Sequence, residues 1–249
     1  MKKENVLIVA VDFSKCSIKA LDFAIRIANC IKSNILIVHV EKPNINDSVY
    51  SKNGHEYHKN VILKLEKLVE KFQPCLKKGI LEYKIRKGKV HTEITNQAKY
   101  SDAYLIITGA HGISGFEEFW IGSNAFKVVI SSTIPVITIR EDLVSKKRQI
   151  FKIVLPIDSS PETRQKVPVA VELAKYFKAE IHVVGIYSTN VKAVRNFVEG
   201  FVEQAVEYIE KHGVVCKSQF KFCNNITDGI IEYAEEVNAD LITIMSEQE

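Results

Sequence analysis

The sequence predicts an α/β protein made of two consecutive doubly wound parallel sheets, and three observations carry that reading. Apolar runs without a polar interruption, such as Leu7 to Val11, suit strands buried on both faces of a parallel sheet. Each run is followed by an amphipathic stretch at helical spacing, and strand–helix alternation generates right-handed crossovers. The third observation is self-similarity. Leu7-Ile8-Val9-Ala10-Val11-Asp12-Phe13-Ser14 and Ile153-Val154-Leu155-Pro156-Ile157-Asp158-Ser159-Ser160 read as one unit repeated, with Asp12 and Asp158 standing 146 residues apart.

The elements follow in order. After the first strand, Ala20, Leu21, Ala24, Ile25, Ala28 and Ile31 recur at helical spacing, with Ser14 placed to cap the first turn. A second strand is expected at Ile35 to Val40, a helix from Val61 to Phe72 and a strand from Leu81 to Arg86. Gly88 interrupts; a helix then carries Ile94 and Ala98, a fourth strand covers Tyr104 to Thr108, and an apolar helix runs from Asn124 to Ser131 before a fifth strand from Thr133 to Ile139. In the second unit, Ser160-Pro161 reads as a helix start, since proline's fixed φ suits the first helical position. A helix through Val167, Ala170, Val171, Ala174 and Phe177, a strand at Ile181 to Ile186 and a helix from Val194 to Lys211 follow. A strand near Val215 to Phe222, a helix from Asp228 to Val237 and a strand at Asp240 to Met245 complete it. Arg140 to Gln149 is dominated by charge and reads as the linker. The domains are therefore drawn at 1–140 and 151–249, joined by 141–150.

Composition excludes more than it names. Thirty-four Lys and Arg against 30 Asp and Glu leave a net charge of +4, too small and too dispersed for a nucleic-acid footprint. Met1 to Asn5 lead into a short apolar run broken at Asp12, so neither a secretory signal nor a spanning helix is expected. Five cysteines form no C-x-x-C pair, which fits a reducing cytoplasm. Cys16 falls at a helix start, where a thiol's pKa can drop, but burial as a small hydrophobe is the preferred reading. Among seven histidines, only His55 and His58 are close in sequence, on the expected loop after the second strand, and they lack the partners a metal needs.

In an open parallel sheet, ligands collect beyond the carboxyl ends of the strands where strand order reverses, which directs attention to Asp12 and Gly109. Gly109-Ala110-His111-Gly112 is followed by nine residues, then Gly122-Ser123 and the helix opening at Asn124. Glycines at 109 and 112 would let backbone amides approach phosphate oxygens, and the helix opened by Gly122-Ser123 offers free N–H groups and a dipole to an anion. Ser123 adds a hydroxyl donor, Asp12 can accept from a ribose or help hold a metal, and Val11 and Val40 can sandwich an adenine ring. His111 lies inside the loop, either touching phosphate or shaping the turn.

The strand ending in Val11-Asp12, the Gly-x-x-Gly, the nine-residue spacer and the Gly-Ser together resemble the universal stress protein family, as a tandem member. The resemblance covers the first unit and most of the second. It implies two Rossmann-like domains of the adenine nucleotide alpha hydrolase-like type with parallel five-stranded sheets. It further implies ATP, with Mg²⁺ as a possible companion: adenine near Val11 and Val40, ribose near Asp12, phosphates on Gly109, Gly112, Gly122 and Ser123 beside His111 and Asn124. Family members commonly pair fifth strands between domains, so pairing of the two domains and a homodimer are expected, together with an unidentified protein partner and neither nucleic acid nor membrane.

Two features depart from the pattern. The spacer carries Glu117 and Glu118 with no Lys or Arg, and Phe119 and Trp120 either cover the site or pack beneath it. Aligning Leu105–Gly109 with Leu241–Met245 puts Met245 and Gln248 where the loop glycines stand, so the second unit is expected to lack a phosphate loop and to be incomplete at its C-terminus, with Asp158 a capping relic. No P-loop lysine, nearby arginine or nucleophile–base pair supports phosphoryl or acyl transfer, so no catalytic residue and no metal ligand is assigned. The expected role is a stress-response regulator that binds ATP with slow or no hydrolysis; a weak ATPase or autokinase, or a nucleotide-free scaffold, are the alternatives.

Overall fold

The structure is a computed structural model that describes residues 5–41, 52–111, 121–140 and 150–246. The chain divides into two compact units, one up to Lys146 and one from Lys147 to Glu247. In the first, β1 (Val6–Ala10), α1 (Lys15–Ile31), β2 (Asn34–Glu41), α2 (Lys52–Phe72), β3 (Leu81–Lys87), α3 (Val90–Tyr100), β4 (Leu105–Gly109), α4 (Ser123–Ser131) and β5 (Val136–Ile139) build a five-stranded sheet. The strands lie in the order β3-β2-β1-β4-β5, all parallel. The chain steps from β1 through β2 to β3, then crosses back to continue from β4 to β5, so strand order reverses between β1 and β4.

That reversal puts helices on both faces. Ile8, Ala10, Leu36, Val38 and Ile106 pack with Ile94, Ala98 and Val128 of α3 and α4. Their strand neighbours Leu7, Val9, Ile35, Ile37, Leu105 and Ile107, pointing to the other face by the two-residue alternation of a strand, are equally inaccessible, and α1 packs against β1 and β4. Uninterrupted apolar strands are the sequence consequence of this double coverage.

The second unit repeats the plan with β6 (Lys152–Ile157), a 3₁₀ turn at Pro161–Arg164, α5 (Val167–Phe177), β7 (Glu180–Tyr187), α6 (Lys192–Lys211), β8 (Cys216–Phe222), α7 (Ile226–Glu236) and β9 (Leu241–Ile242). Its sheet has four strands among the described residues, in the order β8-β7-β6-β9. Val154, Val184 and Ile186 pack with Tyr233 and Ala234 of α7 on one face.

Several expectations need correction. The expected strand at 240–245 shrinks to β9, whose ladder with β6 holds only Ile153↔Leu241 and Val154↔Ile242. Thr243 still donates to the Val154 carbonyl, at 2.9 Å. In a parallel ladder the next donor toward β9 would be residue 156, and Pro156 has no N–H. The first unit has Ala10 at the matching position, and β1 pairs with β4 through Ala10↔Thr108. Pro161 opens a 3₁₀ turn rather than the helix, which begins at Val167, and the Ser160 side chain forms no cap. His55 and His58 sit on α2, which begins nine residues before the expected Val61, and His58 pairs with Glu41 at 2.9 Å.

Candidate functional site

At the turn after β1, the expected serine cap on α1 is present. Ser14 caps α1 by accepting from the Ser17 amide at 3.1 Å. Asp12 Oδ1 accepts from the Ser14 amide at 3.0 Å, and the Asp12 amide donates to Ser17 Oγ at 3.4 Å. An aspartate bonding its own backbone two residues on is an Asx turn, which pins the carboxylate beside the strand end while engaging one of its two oxygens among the described residues. The second unit repeats the arrangement: Asp158 Oδ1 accepts from the Ser160 amide at 2.8 Å, and the Asp158 amide donates to Thr163 Oγ1 at 3.2 Å. Asp158, expected as a capping relic, caps no helix and instead makes the same turn as Asp12.

Two features seat this turn in the first unit. Phe13 adopts φ 66°, the left-handed region that bulky residues rarely enter. Its ring lies 4.8 Å from that of His39, and Lys64 Nζ stands 5.3 Å from its centroid on the α2 side. Val11 is buried, its amide bonded to the Val38 carbonyl at 3.0 Å, and Val40 is half-buried against the α3–α4 side of the core.

β4 delivers the other half of the crevice. A Cβ on Gly109 would lie 3.0 Å from the Cys16 carbonyl carbon and the Ser17 nitrogen, so this glycine is what lets the first turn of α1 press on the end of β4. Cys16 is buried there and donates its S–H to the Ile139 carbonyl of β5 at 2.8 Å, which makes it a packing cysteine. The next amide, of Ala110, also donates to Ile139, at 2.7 Å. The Gly122 amide donates to the Ala110 carbonyl at 2.7 Å and so returns the chain to the end of β4 just before α4.

Gly122 caps α4 in an extended conformation (φ −60°, ψ 145°) with no side-chain cap bond, and no acidic residue lies in the helix's first turn. Ser123 and Asn124 are exposed at this end and His111 is half-buried at the other side of the closed loop. Helix-end amides without an internal acceptor, with the dipole behind them, form a ready anion site. Gly112, Glu117, Glu118, Phe119 and Trp120 lie outside the described residues, as does Gln248. Among the described residues no three His, Cys, Asp or Glu side chains gather as a metal site.

Residues 5–140 match the Universal stress protein family. The chain belongs to this family. The universal stress protein YxiE of Bacillus subtilis is 33% identical over 149 residues, covering 55% of this chain and 99% of YxiE. Across both units the fold is shared with the crystal structure of a universal stress protein from Archaeoglobus fulgidus, with a TM-score of 0.75 at 18% identity over 97% of this chain and 86% of that one. A putative universal stress protein from Pseudomonas aeruginosa follows, at 0.60 and 14% over 96% and 81%. The tandem Rossmann-like architecture is thus a universal stress protein fold. No helix among the described residues is long and apolar enough to cross a membrane.

Sequence reasoning missed three residues around the crevice of this universal stress protein. Arg86 is the register partner of Val40, and its Nε donates to Gln97 Oε1 of α3 at 2.9 Å. Gln97 is itself buried and donates to Ser101 Oγ at 2.7 Å, so the guanidinium is held rather than loose. His39 and Lys64 flank Phe13. Nothing in local periodicity announces any of them, because strand register and helix packing bring them in.

Proposed function

We propose that the first unit binds an adenine nucleotide, ATP, beyond the carboxyl ends of β1, β2 and β4, and that the chain acts as a nucleotide-responsive stress regulator with slow or no hydrolysis. The observation that carries this reading is the start of α4, which has no side-chain cap and is drawn back to β4 by the Gly122–Ala110 bond at the point where strand order reverses. Its amides and the Ser123 hydroxyl suit the phosphates. The Asp12 oxygen left over from its turn suits a ribose hydroxyl, and Val11 and Val40 offer apolar surface to the adenine. Gly109 is assigned to the same site as the residue that allows α1 and β4 to meet. Mg²⁺, where present, would be held mainly through the phosphates, with Asp12 as a candidate carboxylate, neutralising charge. A ligand that prefers one state of the protein shifts the population toward it, which gives a partner protein something to read.

The reading is tested by denaturing freshly purified protein, identifying released nucleotide by mass spectrometry, and titrating stripped protein with Mg·ATP in a calorimeter. One equivalent per chain is expected. Gly122→Val should lower the affinity at least tenfold with unchanged far-UV dichroism, since φ −60° and ψ 145° suit valine while its branched side chain crowds the anion. Unchanged affinity in that variant would remove the phosphate assignment, and no heat with wild type would remove the nucleotide. Two equivalents would restore a site to the second unit.

A further inference from the structure

His39 is buried at 5% exposure near the carboxyl end of β2, next to the proposed adenine residue Val40. Its Nδ1 lies 2.7 Å from the Val11 carbonyl oxygen. A carbonyl only accepts, so Nδ1 carries the proton and donates, which leaves Nε2 as a bare acceptor. Nε2 is fully buried and has no hydrogen-bond partner among the described residues. A buried polar atom left unpaired is costly, so an imidazole used only to fill volume would be poorly chosen here. What the ring does provide is one donor to Val11 and one aromatic face to Phe13, 4.8 Å away.

Both contacts fall on the same short segment. Val11 is the last residue before the Asx turn, and Phe13 is the turn residue held at φ 66°. Backbone in a sparsely populated region persists only where its surroundings over-determine it. From outside the segment, His39 fixes the residue before Asp12 by a hydrogen bond and the residue after it by ring contact. The local bonds of Asp12 with Ser14 and Ser17 fix the turn from within.

We infer that His39 is a positioning residue for the nucleotide site: its Nδ1–H and ring hold Val11 and Phe13 so that the carboxylate between them, Asp12, stands ready for the ribose. It touches no ligand. The inference rests on the nucleotide reading of the first unit and adds the group that pre-organises it, since an Asp12 that must first be ordered binds more weakly than one already in place.

The test compares wild type, His39→Leu and His39→Asn by Mg·ATP calorimetry and, without nucleotide, by amide hydrogen exchange at Asp12 and Ser14. Asparagine places an N–H donor the same number of bonds from the backbone as Nδ1, whereas leucine has none. In His39→Leu, affinity should fall at least tenfold and both amides should exchange faster, while exchange in β4 and far-UV dichroism stay as in wild type. His39→Asn should recover most of the affinity and protection. Wild-type affinity in His39→Leu, or an Asn variant as weak as the Leu variant, overturns the inference while leaving the site intact. Failure of wild type to bind overturns the nucleotide reading itself. A His39→Leu chain that unfolds leaves the Asn variant to decide, since a purely volumetric role predicts that it too fails.

Discussion

Replacing Gly109 by alanine should push the first turn of α1 away from the carboxyl end of β4. The added Cβ would meet the Cys16 carbonyl carbon and Ser17 nitrogen at 3.0 Å and Cys16 Cβ at 3.1 Å. Ordinary contact begins several tenths of an ångström further out, and two of these three atoms are backbone in a capped helical turn, so no side-chain rotation relieves the overlap. The first turn of α1 must retreat, at the overpacking cost of about 1–3 kcal/mol. For a unit of this size that corresponds to a fall of roughly 3–10 °C in melting temperature. Retreat also stretches the Cys16 Sγ–Ile139 contact, 2.8 Å in the structure. Two readouts follow. Calorimetry of the full chain should show the lowered transition, and native-state maleimide labelling should reach Cys16 soon after the exposed Cys30 and Cys75, whereas wild-type Cys16 stays protected. A melting temperature within 1 °C of wild type and an unreactive Cys16 would refute the claim that this glycine exists for α1 packing.

Gly200 gives the opposite expectation: it lies inside α6 with open space where a Cβ would go, so Gly200→Ala should stabilise the second unit by about 0.5–1 kcal/mol in urea unfolding. Ser33 is completely buried and its hydroxyl has no partner among the described residues, so Ser33→Ala should leave stability equal or raised, and a loss above about 1 kcal/mol in the same assay would show that the hydroxyl is bonded in solution. Burial lowers the Lys166 ammonium from 10.5 to about 8 against the raising influence of Asp158, its Nζ donating to Thr163 Oγ1 at 3.1 Å. Between those values the unfolded chain holds a proton the folded chain has released, so stability rises with pH across that window, by up to about 3 kcal/mol. Lys166→Met should flatten that rise and stabilise the protein at pH 7; an unchanged pH profile of urea midpoints would contradict the burial penalty.

The parts of this protein legible in its sequence are those whose determinants are close along the chain. Apolar runs and helical periodicity located the strands and helices, and the repeat at Asp12 and Asp158 located two units, because burial pattern and turn chemistry act within a few residues. The Ser14 cap belongs here, because it acts within one turn of α1; the bonds around each aspartate are as local, spanning two and five positions in both units. Ser160 shows the limit: its amide bonds its aspartate as Ser14's does, but its hydroxyl also donates to Asp158 Oδ1 and its side chain forms no cap.

What only the tertiary structure decided are the pairings between distant residues. Strand order β3-β2-β1-β4-β5 sets Arg86 beside Val40, 46 positions earlier. Gly109 reads in sequence as a phosphate-loop glycine, yet its missing side chain makes room for Cys16 and Ser17. Cys16 bonds to Ile139 across 123 residues, and His39 reaches Val11 across 28. Pro156 stood in plain view within an apolar run, but its effect on β9 follows only once the ladder's direction shows which neighbour its absent N–H would have served. Local sequence sets which elements form; the register and packing of those elements, a property of the whole sheet, set which side chains meet.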